Sequence, residues 1–196
     1  MVFFAENRSQ TSRKHANGER AEEQYVDDMR HGWMRKWHEN GQMAYSVWFV
    51  NDKEEGDELA WDEDGTLSFA TPFVNGSKHG LFYKYRTTGQ PACEVSYVNG
   101  IVHGLVRHWH DNGKIESETS YVDGQKHGIE RWFIDTGCMC DERRWKNGKE
   151  HGIWRQWHTN GQKESETQWT DGKKIGMRCW DINGKIVLSE ENSSND

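Results

Sequence analysis

The glycines of this chain recur with a period of 24 residues. Two series, nine residues apart, run through the chain, and a third series lies in Asn-Gly or Asp-Gly pairs. The leading series is Gly32, Gly56, Gly80, Gly104, Gly128, Gly152 and Gly176. A chain with such a short fixed period is an array of one supersecondary unit, which buries its apolar surface only against its neighbours. The period therefore predicts a repeat protein.

Each period predicts two strands and two turns, as residues 104–128 illustrate. Two β-prone segments are separated by Asn112-Gly113 and followed by Asp123-Gly124. Such pairs between β-prone segments are strong hairpin signals, because type I′ turns need positive φ at both central residues. The predicted fold class is all-β, with stacked β-hairpin repeats over residues 17–185. Residues 1–16 and 186–196 are predicted to be flexible tails.

The composition predicts a thin core. Only 33% of the residues are hydrophobic and the mean hydropathy is −1.07, but the chain has eleven tryptophans. Aromatic side chains bury roughly 150–250 Å² each, so a few per repeat can hold a single-layer sheet together. Two aromatic columns keep the 24-residue phase and are predicted to form the core. They are Trp37, Trp61, Tyr85, Trp109, Phe133 and Trp157, and Tyr25, Phe49, Phe73, Tyr97, Tyr121, Trp145 and Trp169.

Arginines and glutamates are also in phase. If Asn112-Gly113 is a two-residue turn, Arg107 lies opposite Glu118, and the same register places Arg131 opposite Glu142 and Arg155 opposite Glu166. Opposite charges across strands contribute about 0.2–1 kcal/mol per pair. We interpret these pairs as register control on a solvated face, with recognition of a substrate carboxylate as the less favoured alternative.

The overall charge constrains the partners. A net charge of −7 disfavours nucleic acids and anionic membranes and favours a basic protein partner. The chain shows neither a signal peptide pattern nor a run of about 18 apolar residues, so we expect a cytoplasmic protein. The cysteines lie at different phases of the repeat, which favours reduced thiols. They are Cys93, Cys138, Cys140 and Cys179.

A row of histidines precedes the leading glycines. Metal ligands must approach one ion to about 2 Å, whereas turns of successive repeats should stand about 10 Å apart. We therefore predict a turn-stabilising role and neither a metal nor a cofactor. No nucleophile elbow, phosphate loop or zinc-binding helix motif is found, so an enzyme is not expected. The row is His31, His79, His103, His127 and His151.

The sequence Tyr-Val-Asp-Gly-Gln-Lys-His-Gly-Ile at 121–129, with its flanking strands and Trp-His, resembles the bacterial variant of the MORN repeat. The resemblance covers about residues 17–184 and implies an elongated, twisted antiparallel sheet. The chain departs from the pattern at Asp52, where other repeats have Gly, and at Glu55 and Ile175, where they have His. Single-residue deletions are also found near Gly18 and Gly184. Many bacterial members are labelled antitoxins or immunity proteins, whereas eukaryotic relatives look like scaffolds or membrane-linked modules.

The clearest departure from periodicity is an acidic segment, residues 52–64. It holds eight acidic residues and one lysine, a net charge of −7: Asp52, Glu54, Glu55, Asp57, Glu58, Asp62, Glu63 and Asp64. Aromatics outside the two columns lie nearby, namely Tyr45, Trp48, Phe69 and Phe82. Aromatic anchors beside charge are typical of protein-binding surfaces, although the segment could equally be a solvated loop, with the aromatics padding the sheet. These twelve residues are the predicted partner site.

The leading functional hypothesis is a non-catalytic antitoxin or immunity protein that masks a basic toxin or effector. In that hypothesis the acidic segment takes the place of a polyanionic substrate such as nucleic acid. A scaffold or membrane-associated assembly module is the alternative. A secreted repeat that binds carbohydrate or choline through its aromatics is disfavoured by the absence of a signal peptide pattern.

Overall fold

The structure of the chain is a computed structural model that describes residues 8–14 and 20–191. These residues form β-strands joined by turns and contain no helix. The strands up to residue 98 are β1 (Arg8–Lys14), β2 (Arg20–Val26), β3 (Met29–Trp37), β4 (Met43–Val50), β5 (Lys53–Trp61), β6 (Leu67–Val74), β7 (Ser77–Lys78), β8 (Gly80–Tyr85) and β9 (Pro91–Val98). The later strands are β10 (Ile101–Trp109), β11 (Ile115–Val122), β12 (Gln125–Phe133), β13 (Met139–Lys146), β14 (Lys149–Glu150), β15 (Gly152–Trp157), β16 (Lys163–Thr170), β17 (Lys173–Trp180) and β18 (Ile186–Glu191).

The chain divides into two compact units. Unit 1 comprises Met1–Ala92 and Ser96–Ile101, and unit 2 comprises Cys93–Val95 and Val102–Asp196. In unit 1, β2 to β6 pair antiparallel in sequence order and β6 pairs with β8. In unit 2, β10 to β13 pair antiparallel in sequence order and β13 pairs with β15. Strands β15 to β18 then pair antiparallel in sequence order. The predicted all-β fold of stacked antiparallel hairpins is confirmed.

Strand pairing extends beyond the predicted array. β1 pairs with β2, and β18 pairs with β17, so both outer strands lie in segments predicted as tails. Parts of the predicted tails and the start of the predicted array lie outside the described residues, namely 1–7, 15–19 and 192–196.

One set of turns has the predicted type I′ geometry. At Asn75-Gly76 both residues have positive φ, 51° and 79°. The Gly76 N–H donates to the carbonyl of Glu54, at 2.9 Å, in the preceding hairpin. His79 Nδ1 lies 3.3 Å from Asn99 Oδ1 in the next turn, and three other histidines of the row make the equivalent contact with an Asn or Asp: His31, His103 and His127. His151 Nδ1 lies 3.4 Å from Asp171 Oδ1. As predicted, the histidines contact the turns, and they link one turn to the next.

The second set of turns corrects the prediction of a two-residue loop at Asn112-Gly113. The His110 N–H donates to the Lys114 carbonyl at 2.9 Å, and of the two predicted turn residues only Gly113 has positive φ. The Asn112 side chain accepts from the Lys114 N–H and donates to the Asp135 carbonyl of the next turn, which favours the longer loop. A bulge between His108 and Trp109 accommodates the longer loop, so Arg107 still lies opposite Glu118 as predicted.

The core is thin, as the composition predicts. Val47 and Phe49, 0% and 3% exposed, are the buried hydrophobic side chains among the described residues. The aromatic columns are mostly half-buried, because one layer of strands covers each ring on one side only. In unit 2, Trp154 lies between Trp145 and Trp169, with ring centroids 5.5 and 4.8 Å away. Columns of aromatic rings therefore hold successive hairpins together, but they do not form a deep core.

Candidate functional site

The predicted partner site lies on β4, β5, β6 and β8 of unit 1 and on the turns at both ends of β5. Side chains of a strand alternate between the two faces of a sheet. We call the face that carries Ser46, Trp48 and Leu59 face A, and the face that carries Tyr45 and Val47 face B. A nine-residue strand such as β5 spans roughly 30 Å. The twelve predicted residues are therefore distributed over two faces and two ends and do not form one patch.

The turn before β5 holds two of the departures from the repeat. Asp52 Oδ1 accepts from the backbone N–H and the guanidinium of Arg30, each at 3.0 Å. These hydrogen bonds hold the pKa of Asp52 below its usual value, and the bond from the backbone N–H has the larger effect. Glu55 Oε2 accepts from the Asn75 N–H at 2.8 Å, at the position where other repeats have a histidine.

These contacts show what the two departures do in the second repeat. The Asp52 N–H donates to the Arg30 carbonyl at 2.9 Å, as glycine N–H groups do at the equivalent turns. Glu55 links its turn to the next one, as the histidines do. Although both residues differ from the pattern, the second repeat is an ordinary structural unit, and part of its acidity stabilises turns.

The turn after β5 carries Asp62, Glu63 and Asp64. Asp64 Oδ1 accepts from the Thr66 N–H at 2.8 Å, and this hydrogen bond holds the pKa of Asp64 below its usual value. The Asn40 amide donates to the Glu63 carbonyl at 2.6 Å. Glu63 and Asp64 are exposed, so this turn presents two acidic side chains to solvent.

Face B holds the predicted aromatics Tyr45, Phe69 and Phe82. The Tyr45 hydroxyl donates to Glu58 Oε1 at 2.6 Å. Burial, and secondarily this hydrogen bond to Glu58, raises the pKa of Tyr45. The rings of Phe69 and Phe82 are 6.4 Å apart. These side chains share the face of the buried Val47, so they extend the packing of the sheet.

Face A holds the remaining predicted members of the strands, Trp48 and Asp57. The rings of Trp33 and Trp48 meet edge to face, with centroids 5.2 Å apart. Asp57 is exposed and lies opposite Pro72 on β6. The structure thus places an aromatic side chain and an exposed carboxylate on this face, separate from Glu54 and Glu58.

Within residues 8–14 and 20–191, no group of three or more His, Cys, Asp or Glu side chains is arranged to hold a metal ion. The hydrogen bond from a turn glycine N–H to a carbonyl of the preceding hairpin recurs every 24 residues, as at Gly76, Gly100 and Gly124. Three segments, residues 78–99, 102–123 and 150–171, match the family described as MORN repeat variant. Each of these three segments is similar to a MORN repeat.

MORN repeats are non-catalytic modules that bind proteins or membranes. A comparison with curated proteins finds none that matches this chain. No helix in the described part of the chain is long and apolar enough to cross a membrane. The matched segments are therefore typical of modules that bind proteins or membranes.

The repeats of unit 2 carry the predicted charge ladder. Arg107 Nε lies 2.9 Å from Glu118 Oε1, and the same pairing is found for Arg131 with Glu142, at 3.2 Å, and for Arg155 with Glu166, at 2.9 Å. In unit 1 the equivalent row keeps Glu22 and Arg35 on β2 and β3 but is uncharged at the next four positions, a feature that the sequence analysis missed. The sequence did contain the signal, because four uncharged residues stand where the 24-residue period places Glu or Arg in later repeats. They are Ser46, Leu59, Ala70 and Tyr83.

Proposed function

We propose that this chain is a cytoplasmic antitoxin or immunity protein that neutralises a basic protein toxin or effector by masking its surface. The observation that carries the proposal is the charge of the acidic segment, −7 over residues 52–64, combined with its position on both ends and both faces of one strand. A partner with a positive surface is attracted to this hairpin from either side.

The electrostatic part of the proposal concerns the rate of association. The carboxylates of Asp57, Glu63 and Asp64 are exposed. Clustered charge of one sign accelerates association with an oppositely charged protein, and salt screens it over about 8 Å at physiological ionic strength. A toxin that acts on nucleic acid needs a positive surface, and occupation of that surface prevents substrate binding.

The lifetime of the complex depends on apolar contact. Interface aromatics that are desolvated on binding contribute most of the binding energy and mainly control dissociation. Trp48 lies half-buried on face A, on the strand next to the exposed Asp57. This pair supports a surface in which charge attracts the partner and the indole retains it.

The test combines gene context with charge reversal. The chain is co-expressed with each protein encoded beside its gene, and growth and complex formation are measured. For a partner that binds, Asp57→Lys combined with Glu63→Lys should slow association ten-fold or more at low salt. Asp135→Lys combined with Glu164→Lys reverses two exposed carboxylates of unit 2 and serves as the matched control.

Two results would overturn the proposal. The first is that no protein encoded beside the gene binds or is neutralised. The second is that the protein binds anionic vesicles or a cytoskeletal assembly instead, which would support the scaffold or membrane-associated alternative.

A further inference from the structure

An alternating row of charges crosses one face of unit 2. Along β11 to β17 each member lies directly opposite the next, in the order Glu118, Arg131, Glu142, Arg155, Glu166 and Arg178. Arg107 begins the row on β10 and bonds both Glu118 and Glu94, at 2.9 and 2.7 Å. Each charge in such a row is compensated by its neighbours across the strands.

The same row in unit 1 has lost its charges over four strands. Ser46 lies opposite Leu59, Leu59 opposite Ala70, and Ala70 opposite Tyr83. These four residues stand 48 positions before Glu94, Arg107, Glu118 and Arg131. The uncharged row therefore replaces the sequence Glu, Arg, Glu, Arg of unit 2 with Ser, Leu, Ala, Tyr.

Further apolar side chains border the uncharged row on face A. Trp48 follows Ser46 at the next position of this face on β4, and Pro72 follows Ala70 on β6. The Tyr83 ring stacks on Tyr85 at 6.0 Å, and Leu81, on the same strand, is 44% exposed. Ser46 is 5% exposed and lies opposite Arg35, so the apolar part of this face consists of Leu59, Ala70 and Tyr83 with these neighbours. Apolar side chains grouped on a protein surface often mark a binding site.

A carboxylate stands beside this surface where unit 2 has aliphatic side chains. Asp57 precedes Leu59 by two positions, and its equivalents in unit 2 are Leu105, Ile129 and Ile153. Asp57 is exposed and faces the Pro72 ring, which cannot donate a hydrogen bond. Unit 2 thus has charges flanked by aliphatic residues, and unit 1 has apolar residues flanked by a carboxylate.

We propose that face A of β4, β5, β6 and β8 docks a segment of a partner protein in which an aromatic or aliphatic side chain stands next to a lysine or arginine. The apolar side chain lies on Leu59 and Tyr83, and the cation pairs with Asp57. The inference rests on the proposed function and specifies it, because it commits to one face of the sheet and to the chemistry of the docked segment.

The test uses a variant that restores the charge row. Ser46→Glu, Leu59→Arg, Ala70→Glu and Tyr83→Arg together give unit 1 the row of unit 2, which the same fold already accommodates. Circular dichroism and thermal unfolding check that the variant folds. Leu59→Arg alone is the smaller change if the fourfold variant does not fold. Asp57→Ile, which copies Ile129, removes only the carboxylate.

The probe is a display library of random peptides of about 12 residues, long enough to cross four strands spaced about 4.8 Å apart. Selection on the wild-type protein should enrich peptides with an aromatic or aliphatic residue next to Lys or Arg. The row-restoring variant should bind these peptides at least ten-fold more weakly. Asp57→Ile should abolish the preference for the cation, so that a peptide with Lys replaced by Met binds as well as its parent. Glu164→Lys is the control and should change neither.

Two results would overturn this inference. Enriched peptides could lack the apolar and basic pair, or they could bind the row-restoring variant as tightly as the wild type. If, in addition, a protein encoded beside the gene still binds and Asp57→Lys with Glu63→Lys still slows it, the proposed function stands and the choice of face A is wrong. If no such protein binds, the proposed function itself fails.

Discussion

Asp57 lies directly opposite Pro72 across β5 and β6, so a carboxylate faces an aliphatic ring on face A. The equivalent position in unit 2 is occupied by Ile129. Proline offers neither a donor nor a charge to Asp57, and the strand gains nothing from this pairing. Asp57 is therefore a candidate for contact with a partner.

Asp57→Ile should stabilise the fold. An aliphatic side chain opposite Pro72 adds cross-strand apolar contact and removes a carboxylate from an acidic hairpin, which should raise the unfolding free energy by about 0.2–1 kcal/mol. Urea unfolding measures the change. The reverse substitution Leu105→Asp in unit 2, opposite the uncharged Ser120, is the matched control and should destabilise. Loss of stability in Asp57→Ile would show that the carboxylate has a structural role.

Val47→Ala should be among the most destabilising single truncations of unit 1. Val47 is 0% exposed, so removal of its two methyl groups loses buried apolar contact and leaves a cavity. We expect a loss of roughly 1–3 kcal/mol in unfolding free energy. Val50→Ala, on the same strand but 37% exposed, should cost less than about 0.5 kcal/mol. Equal effects of the two truncations in urea unfolding would contradict the proposed location of the core.

Glu130→Ala should destabilise unit 2. Glu130 is 2% exposed and accepts from Trp145 Nε1 at 2.8 Å and from Lys126 Nζ at 2.7 Å. Without the carboxylate the indole N–H loses its acceptor, which should cost about 1–3 kcal/mol. Glu164→Ala, at an exposed position, is the control for the change in charge. The same stability for both variants would show that the contacts of Glu130 contribute nothing.

The contribution of Glu166 should disappear in acid. Burial acts to raise the pKa of Glu166, but hydrogen bonds from Lys163 and Arg155 outweigh it and hold the pKa below its usual value. A lowered pKa in the folded state means stabilisation above the unfolded pKa, near 4.3 for glutamate, and its loss as the pH falls through the folded value. The stability difference between wild type and Glu166→Gln should therefore be full at neutral pH and vanish in acid. A pH-independent difference in unfolding free energy would contradict this account.

The register was predictable because opposite charges recur in phase. Arg107 and Glu118 are eleven residues apart in the sequence, and only one register of the hairpin pairs them. The loop between them was not predictable in the same way. Its conformation depends on the Asn112 amide, which bonds the Asp135 carbonyl of the following turn. Such a contact between repeats cannot be inferred from the Asn-Gly pair alone.

The acidic segment shows a second limit of the sequence analysis. Charge summed along a chain ignores that neighbouring residues of a strand point to opposite faces, so Asp57 and Glu58 were grouped although the sheet separates them. The turn roles of Asp52 and Glu55 depend on contacts with Arg30 and Asn75, more than 19 residues away. The uncharged row on face A was visible in the 24-residue phase, but its meaning required the strand register.

Hydrogen–deuterium exchange of the protein with and without its bound partner is the most direct test of the central claim. The account predicts that added protection is concentrated in β4, β5, β6 and β8, within residues 43–85, and that β15 to β18 exchange as in the free protein. Protection concentrated in residues 152–191, with unit 1 unchanged, would contradict the assignment of the binding surface to unit 1.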